Sequence, residues 1–335
     1  MELSHDDHSL VGRSVLVTGA YGLLGGWLAK ALLEAGADVT VVHRDDRPRS
    51  AVALMSLESE LSIVHGDICA EGLVARAVNE YEIDTVFHLA AQTLVGTANR
   101  SPLSTFEANM KGTWLVLEAC RGASVNRVLV ASSDKAYGPH TDLPYREDHA
   151  LLARYPYDVS KAATDMLARS YFHTWGLPVA VTRFANLYGG GDFNPSRLVP
   201  EAVAAALSGR SPVIRSDGSP ERDFLYVEDA VAAYLAIARA LEYEGDGGPG
   251  PVAGEAFNAG GGRPHRVLDV VEQICRLADT GVTPDIRGSG TPAGEIDRQW
   301  VDSTKLGSLT GWEPRVDLAT GIERTIAWYR QYAGW

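Results

Sequence analysis

Tyr157 and Lys161 stand four residues apart in "YDVSKAATDMLARSYFHTWG" (157–176). Apolar spacing predicts a helix there, with Pro156 in its first turn and Gly176 ending it, so the two side chains share one face. A tyrosine titrates near pH ~10, and an ammonium one turn away favours the phenolate. Such a pair can take the proton of an alcohol whose carbon is being oxidised. Alone the spacing is common. A second group stands upstream in "ASSDKAYG" (131–138). There a run of small and apolar residues stops at Ser132-Ser133, and Asp134 and Lys135 follow before the turn residues Gly138-Pro139. The two charges belong either to an ordinary surface loop or to an acid and a base presented at a strand end.

A third pattern is "VTGAYGLLGG" (17–26), with Gly19, Gly22 and Gly25 spaced three apart around Tyr21 and Leu23. Between a strand and a helix, such glycines permit a tight turn and close approach of a pyrophosphate to backbone N–H groups at the helix start. This predicts a bound dinucleotide. The second strand ends in "VVHRDDRPR", where a carboxylate would serve the ribose hydroxyls of NAD and an arginine the 2′-phosphate of NADP. His43 holds the expected acid position, Arg44 follows, and Asp45 fits a slightly longer strand, so both cofactors stay open. Asp67, followed by Ile68, is a candidate for the adenine edge, or a plain turn aspartate.

Positioning these groups requires alternating strands and helices. Strands are predicted at 13–18, 37–44, 61–67, 84–91, 126–133 and 178–186. Helices are predicted after the glycine turn, at 73–81, at 103–122 and from 157. The expected fold class is α/β, a Rossmann-type doubly wound parallel sheet. Beyond Tyr188 the alternation weakens. Helical patterns at 198–208 and 228–241 mix with "PVIRSDG", "RDFLYV" and "EAFNAG". The expected division is a dinucleotide-binding domain over 1–186 and a smaller mixed α/β substrate lobe over 187–335, with segments near 228–262 returning to the first. The acidic N-terminus is expected to be a loose tail and 244–254 a surface loop.

The 335 residues suffice for a large core, and the net charge of −13 argues against nucleic acid or an anionic membrane as partner. No apolar run is long enough to span a bilayer. Cys69, Cys120 and Cys275 have neither metal nor disulfide spacing, which points to the cytoplasm. His5 and His8 flank two aspartates in the tail without forming a metal pattern.

With the glycine turn, "HLAA" (88–91), Ser133, Tyr157/Lys161, "RFANLYGGG" (183–191) and "RDFLYVEDA" (222–230), the chain resembles the extended short-chain dehydrogenase/reductase family. Within it, the likeness is to nucleotide-sugar epimerases and 4,6-dehydratases. The Ser-Asp-Lys segment, "GGWLAK" and "GGGDFN" are similar to those of CDP-glucose 4,6-dehydratase-like proteins. The resemblance implies a retained nicotinamide cofactor, with NAD preferred to NADP, bound by the glycine turn, His43, Arg44, Asp67, Ile68, Leu89, Ala90, Ala91, Tyr157 and Lys161. It also implies a nucleotide-sugar substrate met by Gln92, Asn186 and Arg222, with Arg197 and Arg298 as looser candidates, and a Ser133 hydroxyl shared with Tyr157 over the substrate alcohol. A homodimer is expected from the apolar residues Trp114, Leu117, Met166 and Tyr171 on two helices that the family often pairs.

For a 4,6-dehydratase, oxidation at C4 acidifies the C5 proton, a base removes it, an acid protonates the leaving 6-hydroxyl, and hydride returns at C6. Asp134 and Lys135 suit that work only as a neutral acid and a neutral amine. In water that arrangement lies about 6.5 pKa units, or roughly 9 kcal/mol, above the ion pair. Both side chains can reach one sugar only if the strand has ended before them. A Lys135 that merely anchors a phosphate or loop remains open. The alternatives are a 4-epimerase of a nucleotide hexose or hexuronic acid, and a regulatory cofactor-binding protein, against which Ser133, Tyr157 and Lys161 argue.

Overall fold

Val-rich runs build the first half of the computed structural model, which describes residues 10–242, 250–290 and 296–335. The N-terminal tail with His5 and His8, and residues 244–249 of the expected loop, lie outside the described residues. The chain begins β1 (Ser14–Thr18), α1 (Leu23–Glu34), β2 (Asp38–His43), α2 (Ala51–Leu54), β3 (Ser62–His65), α3 (Leu73–Glu80) and β4 (Thr85–His88). It continues α4 (Val95–Arg100), α5 (Pro102–Phe106), α6 (Gly112–Gly122), β5 (Arg127–Ala131), α7 (Pro156–Trp175) and β6 (Val179–Phe184). Then come β7 (Asn186–Tyr188), α8 (Leu198–Leu207), β8 (Val213–Ile214), β9 (Glu221–Tyr226), α9 (Val227–Ala240) and β10 (Ala256–Ala259). The last elements are β11 (Pro264–Arg266), α10 (Val267–Ala278), β12 (Asp285–Ile286), β13 (Arg298–Gln299), α11 (Thr304–Thr310) and α12 (Leu318–Trp328).

Seven strands form one parallel sheet in the order β10-β6-β5-β4-β1-β2-β3. The order reverses between β1 and β4, and a crevice opens at the carboxyl ends of strands beside such a switch point. Both faces are covered, which is why the strands read as continuous apolar runs. Strand alternation divides β1 between two cores. Val15 and Val17 pack with Leu28, Ala230 and Tyr234 on one side. Leu16 packs with Val74, Val116 and Ala168 on the other.

A third core unites α8, β9, α10 and α12 through Val203, Phe224, Ile274 and Ile326. Here β9 is central: β7 and β13 pair with it in parallel and β11 antiparallel. The loop after β7 is clamped from two sides. Trp27 on α1 donates its indole N–H to the Gly190 carbonyl at 2.7 Å, and the Trp328 ring lies where a Cβ on Gly190 would stand, 2.2 Å away. Among the described residues no helix is long and apolar enough to cross a membrane, and no group of three or more His, Cys, Asp or Glu is placed to hold a metal.

Three expected elements differ in detail. The helix over 103–122 contains a π turn at Glu107–Lys111, which carries Asn109 inward to bond Gln92 and Ser160. The strand over 178–186 breaks after Phe184: the Ala185 N–H makes the last bond of the β6–β10 ladder, to the Ala259 carbonyl, and from Asn186 the chain pairs with β9 in the smaller sheet as β7. The strand over 126–133 stops at Ala131.

Candidate active site

Gly19 has φ +79°, and a Cβ there would stand 2.8 Å from the Ala90 nitrogen. A Cβ on Gly25 would stand 2.3 Å from the Gly19 carbonyl oxygen. Both positions therefore demand glycine, and the turn lies flush against the end of β4. Gly22 is the N-cap of α1 with no capping side chain, so the first N–H groups of the helix keep their capacity for an anion.

Behind this cradle, Thr18 Oγ1 accepts the N–H groups of Leu89 and Ala90, each at 3.2 Å. Thr18 also meets His88 Nδ1 at 2.8 Å, and His88 Nε2 meets Thr113 Oγ1 at 3.0 Å. Thr113 in turn donates to the Asn109 carbonyl at 2.5 Å. With both Thr18 acceptor sites filled, its hydroxyl must donate to Nδ1, which assigns the His88 proton to Nε2. Burial pushes His88 down to about 3, so the ring is a neutral strut.

At the end of β2 the His43 ring stacks on Tyr21, centroids 4.0 Å apart. Arg44 donates to Asp45 at 2.8 Å and lies 3.6 Å from Asp67. The hydrogen bond from Arg44 holds the Asp45 carboxyl below its usual value. Arg44 is thus already matched by two carboxylates, an environment that suits ribose hydroxyls better than a 2′-phosphate. Asp67 also caps its own turn, accepting from Cys69 N–H at 2.8 Å.

The chemical groups gather where β5 ends. Ser133 is extended and caps a 3-10 turn over Asp134–Tyr137. Its hydroxyl accepts from Lys135 N–H at 3.2 Å and donates to Asp134 Oδ1 at 3.1 Å. The strand has ended, so Asp134 and Lys135 both line the cleft. Asp134 is 3% exposed, and its Oδ2 has no hydrogen-bond partner among the described residues. Burial pushes its carboxyl up to about 6, with Lys135 opposing. On α7, burial pushes Tyr157 up to about 12, with the Ser133 hydroxyl opposing. Lys161 donates to the Ala131 carbonyl at 2.7 Å, and burial draws it down to about 8. This reverses the expectation that the lysine leaves the tyrosine acidic: in the protein alone, burial favours the neutral form of each.

Beneath the turn lies a buried network. Arg183 on β6 makes two bonds to Asp165 on α7, at 2.7 and 2.9 Å, and one to the Tyr137 hydroxyl at 3.0 Å. Tyr137 donates to Asn258 on β10 at 2.8 Å. Three elements, β6, α7 and β10, thus hold the Asp134–Tyr137 turn.

One cleft of about 1040 Å³ runs from the glycine turn to the smaller sheet. It is lined by Gly19, Tyr21, Gly22, Leu23, Gly25, His43, Arg44, Asp67, Ile68, Leu89, Ala90 and Ala91 at one end. Ser133, Asp134, Lys135, Tyr157 and Lys161 lie between, and Asn186, Arg197 and Arg222 complete it. Arg197 is bound to Asp192 and to the Leu187 carbonyl, both at 2.6 Å. Arg222 donates to the Glu221 and Asp297 carbonyls. Two expected residues are not in the lining. Gln92 folds back on Leu94, bonding its N–H and carbonyl at 2.6 and 3.0 Å. Arg298 is exposed and engages Glu221 and the Trp300 ring. The sequence reading also passed over lining residues: Asp158, Arg215 and Phe224. Asp158 directly follows the catalytic candidate Tyr157, which is the signal that could have found it.

A model of the NAD dependent epimerase/dehydratase family matches residues 15–260. The dTDP-glucose 4,6-dehydratase 1 of Escherichia coli is 32% identical, over 96% of this chain and 94% of its own. A trifunctional UDP-glucose 4,6-dehydratase/epimerase/reductase of Arabidopsis thaliana is 31% identical over 98% of this chain, which spans about half (49%) of that relative. Among solved structures, a dTDP-glucose 4,6-dehydratase of Streptomyces venezuelae with NAD bound superposes with a TM-score of 0.84 at 29% identity, covering 96% of this chain and 98% of that one. A UDP-glucose 4-epimerase of Thermotoga maritima with UDP-glucose gives 0.84 at 27% identity, covering 95% and 99%.

Proposed function

The chain belongs to the NAD dependent epimerase/dehydratase family, and from that premise we propose that it is an NDP-hexose 4,6-dehydratase. The observation that carries the reading is the buried Asp134 with its unpartnered Oδ2, set beside Lys135 at the end of β5. Simple hydride removal and return at C4 gives such a carboxyl nothing to do. Elimination of the 6-hydroxyl needs a proton donor, and a carboxyl raised to about 6 keeps a protonated fraction near neutrality.

The residues present fit NAD: a glycine cradle that a Cβ would fill, uncapped N–H groups on α1, and carboxylates beside Arg44. Held by these residues, NAD would supply the hydride acceptor for C4 and the hydride donor for C6. Tyr157 receives the C4 hydroxyl proton, with Ser133 orienting that hydroxyl. Lys161, fixed by the Ala131 carbonyl, supplies the positive charge that favours the phenolate. Lys135, as the neutral amine, removes the C5 proton, Asp134 delivers one to the leaving 6-hydroxyl, and the Lys135 ammonium, after exchange with solvent, returns a proton to C5 as hydride reaches C6. Burial raises Asp134 by about two units, removing about 3 kcal/mol of the roughly 9 kcal/mol that separates the neutral pair from the ion pair in water. Asn186, Arg197 and Arg222 stand at the diphosphate end.

The test is incubation with CDP-, UDP-, dTDP- and GDP-glucose in deuterated water. The expected product has lost an 18-dalton water and carries deuterium at C5. A 4-epimerase, the activity of the Thermotoga neighbour, instead gives unchanged mass, inverted C4 and no solvent deuterium, an outcome that rejects the dehydratase reading.

A further inference from the structure

Asp158 is unused by the mechanism above. It sits in the first turn of α7, directly after Tyr157, and is 7% exposed. A first-turn aspartate ordinarily complements the helix dipole while water solvates its oxygens. That reading does not suit this residue. The residue is largely buried, but its carboxylate oxygens stay open to the cleft beside Lys135 and Tyr157, where they accept no hydrogen bond from a described residue and form no ion pair with one. The N-cap of α7, Tyr155, offers no side-chain bond either. Burying a carboxylate without a partner is costly, and native proteins retain one where a ligand completes it. Its carboxyl is raised above the ordinary value by burial, with Lys135 opposing, as expected for an acceptor lacking its donor.

Tyr157 and Ser133 are assigned to the alcohol that is oxidised, so the sugar ring must lie against the start of α7. A group one residue beyond Tyr157 that faces the same cavity then meets the ring as well. We propose that Asp158 is a sugar-specificity residue, its carboxylate accepting a hydrogen bond from a second hydroxyl of the hexose. The inference rests on the nucleotide-sugar reading but not on the choice between dehydratase and epimerase, since both reactions hold the same ring over Tyr157.

Binding, separated from turnover, tests it. In a Tyr157→Phe background, titration calorimetry compares CDP, UDP, dTDP and GDP with their α-D-glucose esters. The tightening from each diphosphate to its ester measures the sugar contacts alone. Adding Asp158→Ala should reduce that tightening by about 10–100-fold, the range for a hydrogen bond to a charged acceptor, while leaving diphosphate affinity unchanged. Asp158→Asn, whose neutral amide oxygen still accepts, should restore part of it. An unchanged sugar increment in Asp158→Ala overturns the proposal. So does equal weakening of diphosphate and ester, the mark of a purely structural side chain. Absence of any tightening by glucose before Asp158 is altered instead strikes at the nucleotide-sugar reading and is seen separately.

Discussion

Asp134 is buried beside Lys135, and its Oδ2 has no hydrogen-bond partner among the described residues. Its folded pKa, about 6, lies above the ordinary 3.8. The folded state therefore binds the proton more tightly, and the stability this gives is present below about pH 4 and lost as pH rises through about 6. Two units correspond to about 3 kcal/mol forfeited at neutral pH. Asp134→Asn should thus be more stable than the parent by about 1–3 kcal/mol at pH 8 and about equal at pH 4, while losing nearly all dehydration. Urea denaturation at both pH values, with a turnover assay, checks this. A less stable variant at pH 8 would mean that the carboxylate is compensated in the fold. The residue types were legible in "SSDKAYG", but the protonation states were not. They follow from burial, and burial comes from α7 and the loop around Tyr145 rather than from neighbours in sequence. The same holds for Arg44. Its identity hints at a phosphate, yet Asp45 and Asp67 engage it, and the second of these comes from the turn after the next strand, β3. Arg298 marks the converse limit: β13 directs it to Glu221 and solvent, a placement that no local pattern announces.

At the scale of elements, α7 and the 134–137 turn are aligned through Arg183 and Asp165. Both are almost fully buried, at 1% and 0% exposure. Asp165→Asn would leave the guanidinium without its counter-charge, at a cost of about 3–5 kcal/mol. If the Asp134–Tyr137 turn does the proposed acid–base work, the substitution should also lower kcat more than it raises KM, because Tyr137 hangs from the same arginine. Denaturation with steady-state kinetics checks both. A silent substitution would show that the turn is held elsewhere. The helix of Tyr157 was readable from its 3.6 period, its Pro156 start and its Gly176 stop. The π turn at Glu107–Lys111 was not, since its cause is tertiary: Asn109 reaches Gln92 and Ser160. The helix α10 was readable and passed over. Val267, Val270, Val271, Ile274 and Ala278 follow helical spacing, but the short strands around them hide the signal.

For the whole molecule, α5 and α6, joined end to end through the π turn, lie along α7, and the three present Leu103, Trp114, Val159 and Met166 at 76, 41, 37 and 65% exposure. Leu117, expected on that surface, is instead spent in the core. The remaining apolar face predicts a homodimer by light scattering at micromolar concentration, and Trp114→Glu should shift it to monomer. A monomeric parent protein would contradict this. The doubly wound sheet was legible because its strands are buried on both faces and read as apolar runs. The course of the chain after Tyr188 was less so, because β7, β8, β11, β12 and β13 are two or three residues long and show no period.

The clamp on Gly190 has an optical consequence. One indole, Trp27, grips the carbonyl of this glycine, and another, Trp328, presses its ring against the α-carbon. The same loop runs on to Asp192, which grips Arg197 at the cleft. The segment that carries the cleft-lining Arg197 is therefore bracketed by two fluorophores, one from each half of the fold. A shift of that loop must alter the hydrogen bond of the first indole or the packing of the second, so the molecule carries a built-in light signal of movement in this wall of its cleft.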